Sequence, residues 1–244
     1  MNKYEAATYG DRIANVYDDW YERLDPEAAV EFLARFAESG PVLELGIGSG
    51  RVAIPLLERG VEVWGIDASK EMVARLRSKP QGAGVPVTIG NFADVNVDGK
   101  FSLIFVMFNT FFKLPTQDDQ VRCFQKIAGR LDEGGAFVIE AFVPDLNRFD
   151  RSQRVDCDKI EQNRVMMTAS RHDPVRQCVD SQHLVVTEEG VKLYPICIRY
   201  AWPAELNLMA QLAGMKLRER WGGWRKEPST SSSTAHVSVY EHAG

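Results

Sequence analysis

The sequence has few of the features that mark a protein of the membrane, of the secretory route or of nucleic acid. Its 244 residues contain no uncharged apolar run of about 18 residues, which a membrane-spanning helix needs. The N-terminal stretch is polar and aromatic and lacks the apolar core of a signal peptide. The net charge is −5, and no basic run offers a footprint for a phosphate backbone. We therefore expect a cytoplasmic protein without a membrane or nucleic-acid partner.

Cysteine is also scarce. The four cysteines are Cys123, Cys157, Cys178 and Cys197, and no two of them form a CxxC pair. Structural zinc sites usually take closely spaced ligand pairs, and disulfide frameworks usually belong to smaller secreted chains. We expect reduced thiols and predict no metal site.

Short apolar runs alternate with longer amphipathic stretches as far as residue 142. The runs that predict strands are 42–45, 61–66, 85–89, 103–108 and 136–142. The stretches that predict helices are 51–59, 69–79 and 117–131, the last of them ended by Gly134-Gly135. Strands that are apolar on both faces and separated by helices are typical of a parallel sheet covered on both sides. The predicted fold is a doubly wound α/β sheet.

The pattern changes after Pro144. Alternating segments at 164–170, 176–187 and 191–200 predict a three-stranded antiparallel insertion, with Pro195 placing the last strand at an edge or on a bulge. A helix at 203–213 and strands at 215–221 and 235–241 then return to the main sheet.

These elements predict three regions. Residues 1–24 form an N-terminal cap, residues 25–149 and 201–244 form the α/β core, and residues 150–200 form the antiparallel insertion. We expect the insertion to act as a lid over an acceptor pocket and as a possible dimer contact, in a protein that is a monomer or a homodimer.

The loop after the first predicted strand is rich in glycine, at Gly46, Gly48 and Gly50. A dinucleotide fingerprint has the spacing G-x-G-x-x-G, but Arg51 occupies the position of its third glycine. A P-loop ends in Gly-Lys-Ser/Thr, which is missing here. Both kinds of phosphate-binding loop are therefore disfavoured, and a dehydrogenase is a distant alternative.

Two carboxylates accompany this loop. Asp67 ends the second predicted strand, where an acidic side chain can accept hydrogen bonds from both hydroxyls of a ribose. An alternative for Asp67 is to cap the helix that begins after Ala68. Glu44, beside the glycines, would repel a phosphate and suits a cationic or zwitterionic group. Together they predict a ligand that contains adenosine.

These residues resemble a known family. The stretches VLELGIGSGR, GIDASKEM and GNF resemble, in this order, the cofactor motifs of class I S-adenosylmethionine-dependent methyltransferases, and the resemblance extends over residues 9–142. It implies a seven-stranded Rossmann-like sheet whose last strand is antiparallel, with S-adenosyl-L-methionine as cofactor. The cofactor-binding residues that it implies are Tyr9, Tyr17, Glu44, Gly46, Gly48, Gly50, Asp67, Ala68, Met72, Asn91, Phe92 and Met107.

Some of these positions have other interpretations. Asn91 replaces the aspartate that is usual in the family, although its side-chain oxygen could still accept from an adenine amino group. Core packing explains Met72 and Met107 equally well. Tyr9 and Tyr17 could cover the cofactor or only pack on the N-terminal helix.

Methyl transfer from a sulfonium depends mainly on alignment, so a strong catalytic constellation is not required. None is evident, and the candidates for a catalytic role are His183 and Tyr200. The candidates for contact with an acceptor are Phe108, Phe112, Tyr194, Arg199, Trp202 and Trp224. For each of these residues, packing within a sheet or at a dimer contact is the alternative.

The resemblance implies an enzyme that transfers a methyl group, by in-line displacement, to an oxygen or nitrogen atom of a small molecule such as a natural-product intermediate. The insertion resembles the small sheet of aminosugar N-methyltransferases. One alternative is a methyltransferase for RNA or protein, which the lack of basic patches disfavours. Another is a protein that binds the cofactor without turnover, which Phe111 or Phe112 would favour if either blocked the pocket.

Overall fold

The computed structural model describes residues 4–21, 24–37 and 40–244. A seven-stranded sheet with helices on both faces forms the core, and a four-stranded antiparallel sheet is inserted after its fifth strand in the chain. Of the predicted N-terminal cap, residues 1–3 and 22–23 lie outside the described residues. None of the described helices is long and apolar enough to cross a membrane.

Six helices and eleven strands are described. The helices are α1 (Thr8–Tyr21), α2 (Glu27–Ala34), α3 (Ala53–Glu58), α4 (Lys70–Ser78), α5 (Gln117–Ala128) and α6 (Pro203–Leu212). The first strands are β1 (Val42–Leu45), β2 (Val63–Asp67), β3 (Val87–Ile89), β4 (Phe101–Val106) and β5 (Leu131–Phe142). The inserted strands are β6 (Gln153–Ile160), β7 (Arg164–Asp173), β8 (Cys178–Thr187) and β9 (Gly190–Arg199), and the last strands are β10 (Met215–Trp221) and β11 (Ala235–His242). Short 3-10 helices occupy Pro80–Gly82, Thr110–Lys113 and Leu146–Arg148.

The core sheet has the order β10-β11-β5-β4-β1-β2-β3. Only β11 runs against the other strands, pairing antiparallel with both β5 and β10. Every residue of β1 and β4 is buried, because these central strands have an apolar layer on each face. The predicted seven-stranded, doubly wound sheet with an antiparallel last strand is confirmed.

The inserted sheet, which we call the lid sheet, has four strands in the order β6-β7-β8-β9. The prediction of three strands was wrong because β6 carries little apolar signal. Its residues Asp156, Asp158 and Lys159 are polar, and most of the strand is exposed at the edge of the sheet. The prediction for Pro195 fits, since β9 is the opposite edge strand.

Two smaller predictions also differ from the structure. Gly134-Gly135 does not end α5, which stops at Ala128; both glycines lie within β5, where the pairing with β4 shifts register. Phe108 does not belong to β4, which ends at Val106. Its backbone is left-handed, with φ 52°, and its N–H donates to Glu140 Oε2 at 2.8 Å. A side chain on β5 therefore fixes the turn that ends β4.

The lid sheet is joined to the core at α1. A buried apolar cluster connects Tyr9 and Ile13 of α1, Met72 of α4, and Val185 and Tyr194 of the lid sheet. The Tyr194 ring meets Trp20 edge-on, with the ring centroids 4.9 Å apart. Helix α1 is thus held between the lid sheet and the loops at the carboxyl ends of β1 and β2.

Candidate active site

The glycine loop turns sharply after β1. Gly46, Gly48 and Gly50 all have positive φ, at 73°, 56° and 83°. A side chain at position 46 would also be blocked, since a Cβ there would lie 2.5 Å from Thr110 Cγ2. The loop after β1 and the 3-10 helix after β4 are therefore in direct contact.

Asp67 links this loop to the end of β2. Its Oδ2 accepts the N–H of Gly48 at 2.8 Å, and its Oδ1 accepts the N–H of Ser69 at 2.8 Å. Burial raises the pKa of Asp67, while these two N–H donors oppose the rise. Each carboxylate oxygen keeps acceptor capacity beyond its one backbone donor. Asp67 can therefore receive further hydrogen bonds from a ligand in the adjoining cavity.

That cavity lies between α1 and the carboxyl ends of the central strands, and we call it the central cavity. Its lining residues are Tyr4, Glu5, Ala6, Tyr9, Gly10, Tyr17, Gly46, Gly48, Asp67, Ala68, Met72, Asn91, Phe92, Thr110, Lys113, Leu114 and Pro115. In an open α/β sheet, ligands bind at this edge, where the strand order reverses. Here the strand order reverses between β1 and β4. On one side of this point β1 is followed by β2 and β3, and on the other side β4 is followed by β5.

A charged cluster stands beside the cavity at Tyr17. The Arg51 guanidinium stacks 3.5 Å from the centroid of the Phe108 ring, and its Nη2 donates to Tyr17 Oη at 3.3 Å. Its Nε and Nη1 atoms are buried and have no hydrogen-bond partner in the described chain. Glu44 Oε2 is buried and equally unpaired. Burial raises the pKa of Glu44 well above its usual range, although the charge of Arg51 opposes this.

Such unpaired groups are costly, because a buried charge loses its hydration without replacement. A ligand that carries an ammonium and a carboxylate would satisfy Glu44 and Arg51 together. The amino-acid end of S-adenosylmethionine has both groups, so these orphaned atoms fit that cofactor.

Helix α1 is fastened over the cofactor loops by two aspartates. Asp11 accepts from the Ser69 hydroxyl at 2.6 Å, and Asp18 accepts from the Ser49 hydroxyl at 2.6 Å. Asp18 also pairs with Arg75 and Lys79, each at 3.2 Å. Burial would raise the pKa of Asp18, but these donors and cations lower it overall. The helix thereby forms the part of the cavity wall that Tyr9, Gly10 and Tyr17 line.

Most of the predicted cofactor residues meet at the central cavity. Those that line it are Tyr9, Tyr17, Gly46, Gly48, Asp67, Ala68, Met72, Asn91 and Phe92. Asn91 Oδ1 accepts the N–H of Ala93 at 2.9 Å, so its own turn already uses that oxygen. Gly50 lies against Leu76 of α4, and Met107 is packed in the core.

The predicted acceptor residues are more scattered. Phe108 lies on Arg51 beside the cavity, but Phe112 is fully buried in the apolar core. Phe111 is also fully buried, and neither ring is part of the described lining of the cavity. Trp202 precedes α6 and is 40% exposed.

The remaining acceptor candidates connect parts of the fold. Tyr194 packs on α1 through its contact with Trp20. Arg199 Nη2 lies 2.7 Å from Glu205 Oε1 and joins the lid sheet to α6. Trp224 meets Phe32 edge-on and donates from Nε1 to Glu140 Oε1 at 3.0 Å.

His183 and Tyr200, the candidates for catalysis, lie outside the described lining of the central cavity. His183 Nδ1 shares a hydrogen bond of 2.8 Å with Thr168 Oγ1, and burial lowers the pKa of its ring. Tyr200 Oη shares a hydrogen bond of 2.9 Å with His172 Nε2. Both side chains stabilise contacts within or next to the lid sheet.

Sequence reasoning missed several cavity residues, above all Lys113. This lysine ends the 3-10 helix after β4, and its Nζ lies 4.0 Å from the centroid of the Tyr9 ring. Burial lowers its pKa to about 8, an effect that the Asp67 carboxylate opposes. A single lysine within a predicted loop carries no pattern, so only the fold reveals its place.

A second cavity adjoins the first. The two share Tyr4 and Pro115, and we call the second one the lid cavity. Its other lining residues come from β7 to β9 and are Arg171, His172, Asp173, Pro174, Arg176, Cys178, Asp180 and Cys197. Its wall thus carries arginines and aspartates, and it lies next to the central cavity.

Three comparisons with known proteins agree with this geometry. Residues 42–135 match the model of a methyltransferase domain family. The CcbJ methyltransferase from Streptomyces caelestis is 40% identical, covers 99% of this chain and 100% of its own, and superposes with a TM-score of 0.93.

Two further relatives span nearly the whole chain. The cypemycin N-terminal methyltransferase of a Streptomyces species is 27% identical over 241 residues, which are 97% of this chain and 98% of that protein. The structure of CalS10 with bound S-adenosylmethionine, an amino pentose methyltransferase from Micromonospora echinaspora, has a TM-score of 0.68 at 19% identity, covering 92% of this chain and 96% of its own. At that identity the likeness concerns the fold.

Proposed function

Because the chain belongs to the class I S-adenosylmethionine-dependent methyltransferases, we propose that it methylates an amine nitrogen of a small molecule or short peptide held beneath the lid sheet. The observation that carries this proposal is that the two cavities lie next to each other. The central cavity has the groups that suit the donor, and Tyr4 and Pro115 line both this cavity and the lid cavity.

The donor would be held at both of its ends. Asp67 would accept the two ribose hydroxyls, and the adenine would lie between Met72 and Phe92. Glu44 would receive the ammonium and Arg51 the carboxylate, which satisfies the unpaired atoms of both side chains. When bound, the cofactor supplies a methyl group already activated by a sulfonium. The protein therefore needs mainly to orient the acceptor and exclude water.

An amine suits the lining of this site. Once neutral, an amine attacks with its own lone pair and needs no base in the transition state, whereas an aliphatic hydroxyl does. His183 and Tyr200, the candidates for a catalytic role, do not belong to the described lining of the central cavity and hydrogen-bond elsewhere. The cypemycin relative is named for transfer to the N-terminus of a peptide, which is also an amine.

The position of α1 over the central cavity would help to align the donor with the acceptor. Asp11 and Asp18 fix the helix to the cofactor loops, and Tyr9 and Tyr17 then cover the central cavity. Holding the nucleophile and the methyl carbon in line replaces a costly bimolecular encounter. Excluding water also prevents loss of the methyl group to the solvent.

A panel of acceptors tests the proposal. The purified protein would be incubated with S-adenosylmethionine and an aminosugar, a peptide with a free N-terminus, the same peptide acetylated, a phenol, and a structured RNA. Mass spectrometry would detect each methylated product. We expect products from free amines only; methylation of the phenol, the acetylated peptide or the RNA in place of the amines would contradict the proposal.

Asp67→Asn tests the donor half of the proposal. The amide has the size of the carboxylate but only one acceptor oxygen and no charge, so hydrogen bonds to the ribose become weaker. A charge-assisted hydrogen bond contributes about 1.5–3 kcal/mol, and we expect the Kd for S-adenosylhomocysteine to rise about 10- to 100-fold in calorimetry. Asp98→Asn, on an exposed loop outside the cavity, is the control. An unchanged Kd in Asp67→Asn would place the ribose elsewhere.

A further inference from the structure

Lys113 brings a titratable ammonium into the central cavity. Its side chain extends from the 3-10 helix after β4 to the face of the Tyr9 ring, where Nζ lies 4.0 Å from the ring centroid. It lines the same cavity as Gly46, Gly48 and Asp67. A ligand that reaches from the adenine pocket at Phe92 to the charged cluster at Arg51 must share this cavity with the lysine.

The ammonium has little charge compensation. In the part of the chain that the structure describes, no ion pair or hydrogen bond involves the Lys113 side chain, and its ammonium lies over the aromatic face of Tyr9. The carboxylate that acts on it electrostatically is Asp67, whose oxygens already accept the N–H groups of Gly48 and Ser69. Lys113 would therefore repel a second cation in this cavity, while Glu5 and Asp67, which also line it, would attract that cation.

We propose that Lys113 determines how the central cavity discriminates between donor and product: its ammonium opposes the sulfonium of S-adenosylmethionine but not the neutral thioether of S-adenosylhomocysteine. This inference rests on the proposed assignment of the central cavity to the donor. The repulsion weakens the bound donor, and it disappears as the sulfur loses its charge during methyl transfer. An interaction that is unfavourable before the reaction and absent afterwards lowers the barrier.

Protonation of Lys113 makes this discrimination depend on pH. Since burial lowers its pKa to about 8, the lysine is charged in neutral solution and neutral in mildly alkaline solution. The other titratable groups that face the cavity or its carboxylate are Tyr4, Glu5, Tyr9, Asp11, Tyr17 and Asp67. Burial raises the pKa of Tyr4 and Tyr17 to about 12 and that of Tyr9 well above its usual range, so these phenols stay neutral.

The test is calorimetric and needs no acceptor. S-adenosylmethionine and S-adenosylhomocysteine would be titrated into the wild type, Lys113→Met and Lys113→Arg from about pH 6.5 to about pH 9. In the wild type we expect the preference for S-adenosylhomocysteine to decrease about tenfold or more as pH rises. Lys113→Met should lack this change, apart from any part due to the cofactor's own amino group. Lys113→Arg should keep the preference at every pH, since arginine stays charged.

Two outcomes would overturn the inference: the same pH dependence in the wild type and Lys113→Met, or equal preferences in Lys113→Arg and Lys113→Met. Binding of S-adenosylhomocysteine shows that each variant is folded. If Lys113→Met does not fold, Lys113→Gln replaces it as the neutral variant. A wild type that binds neither compound would instead contradict the assignment of the cavity to the donor.

Discussion

The donor site and the lid sheet are built from different kinds of contact. At the proposed donor site, loops that follow neighbouring strands are held together by hydrogen bonds to backbone atoms, such as that from Gly48 N–H to Asp67. The lid sheet is attached by side chains far apart in sequence, such as Arg199 with Gln120 and Tyr194 with Trp20. Local backbone geometry can be recognised from a sequence pattern, whereas contacts between side chains far apart in the sequence cannot.

Gly46→Ala should have the largest effect on the donor site. Position 46 needs positive φ, and a Cβ there would meet Thr110 Cγ2 at 2.5 Å. We expect the Kd for S-adenosylhomocysteine to rise about 100-fold or more, because the loop must move away from its ligand, and the left-handed residue costs a further 1–2 kcal/mol or so of stability. Calorimetry and thermal unfolding would measure the two effects.

Gly60→Ala is the matched control, because Gly60 has φ 81° but open space around its Cβ position. It should lose stability without losing affinity. In Gly46→Ala/Thr110→Ser the clashing methyl group is removed, so part of the affinity should return. Equal affinity losses in Gly46→Ala and Gly60→Ala would show that backbone strain alone, and not the contact with Thr110, governs the loop.

The same contrast explains how much could be predicted from the sequence. The doubly wound α/β sheet follows from apolar runs separated by helices, its seven strands with an antiparallel last strand follow from the family resemblance, and the interest in the glycines and Asp67 follows from the chemistry of a strand end. The place of Lys113 could not be predicted, since it depends on how the turn after β4 meets Tyr9 of α1. The fourth lid strand was missed because β6 contains few apolar residues, since most of it is exposed at the edge of the sheet.

The acceptor candidates stay predictions, and the structure places them apart from one another for a related reason. Aromatic and arginine side chains are large, so the sequence marks them as candidates wherever they occur. Arg199 binds Glu205 and Gln120, and Phe112 packs in the core. Which large side chain faces a cavity is decided by tertiary packing, and tertiary packing has no local pattern.

Arg199→Met tests whether the lid sheet and the donor site are energetically separate. The Arg199 side chain is 7% exposed, and its loss leaves Glu205 with only its glutamine donors, Gln117 and Gln177. Removing one partner of a buried ion pair costs about 3 kcal/mol or more, so unfolding in denaturant should occur at lower concentration. We expect the Kd for S-adenosylhomocysteine to change less than about threefold, since no donor contact is lost.

Arg171→Met is the control within the same sheet, because the Arg171 side chain is 74% exposed and its pair with Asp180 is superficial. Arg171→Met should lower the free energy of unfolding by less than about 1 kcal/mol. A large loss of affinity for S-adenosylhomocysteine in Arg199→Met, with Arg171→Met unaffected, would mean that the contact between the lid sheet and α6 influences binding at the proposed donor site.

Trp224→Phe should lower the free energy of unfolding less than Arg199→Met does, and it tests a hydrogen-bonded connection from the loop after β10 to Arg51. The Trp224 Nε1 donates to Glu140, Glu140 accepts the N–H of Phe108, and the Phe108 ring lies on Arg51. Phenylalanine keeps the aromatic packing on Phe32 but removes the first hydrogen bond, which is worth about 1 kcal/mol. Since Glu140 is then free to turn, the Phe108 turn loosens, and the Kd for S-adenosylhomocysteine should rise about three- to fivefold.

Trp64→Phe provides the comparison, because the Trp64 Nε1 hydrogen bond to Glu62 is exposed and leads to no site residue. If Trp224→Phe weakens binding and Trp64→Phe does not, a residue on the loop after β10 positions the donor site through Glu140. If the two variants bind alike, the turn at Phe108 is held by its own backbone and by Asn109, whose Oδ1 accepts the Phe142 N–H at 2.6 Å. The donor site would then be complete within α1 and the β1 to β5 part of the chain, and only binding of the acceptor would depend on the lid sheet, α6 and the last two strands.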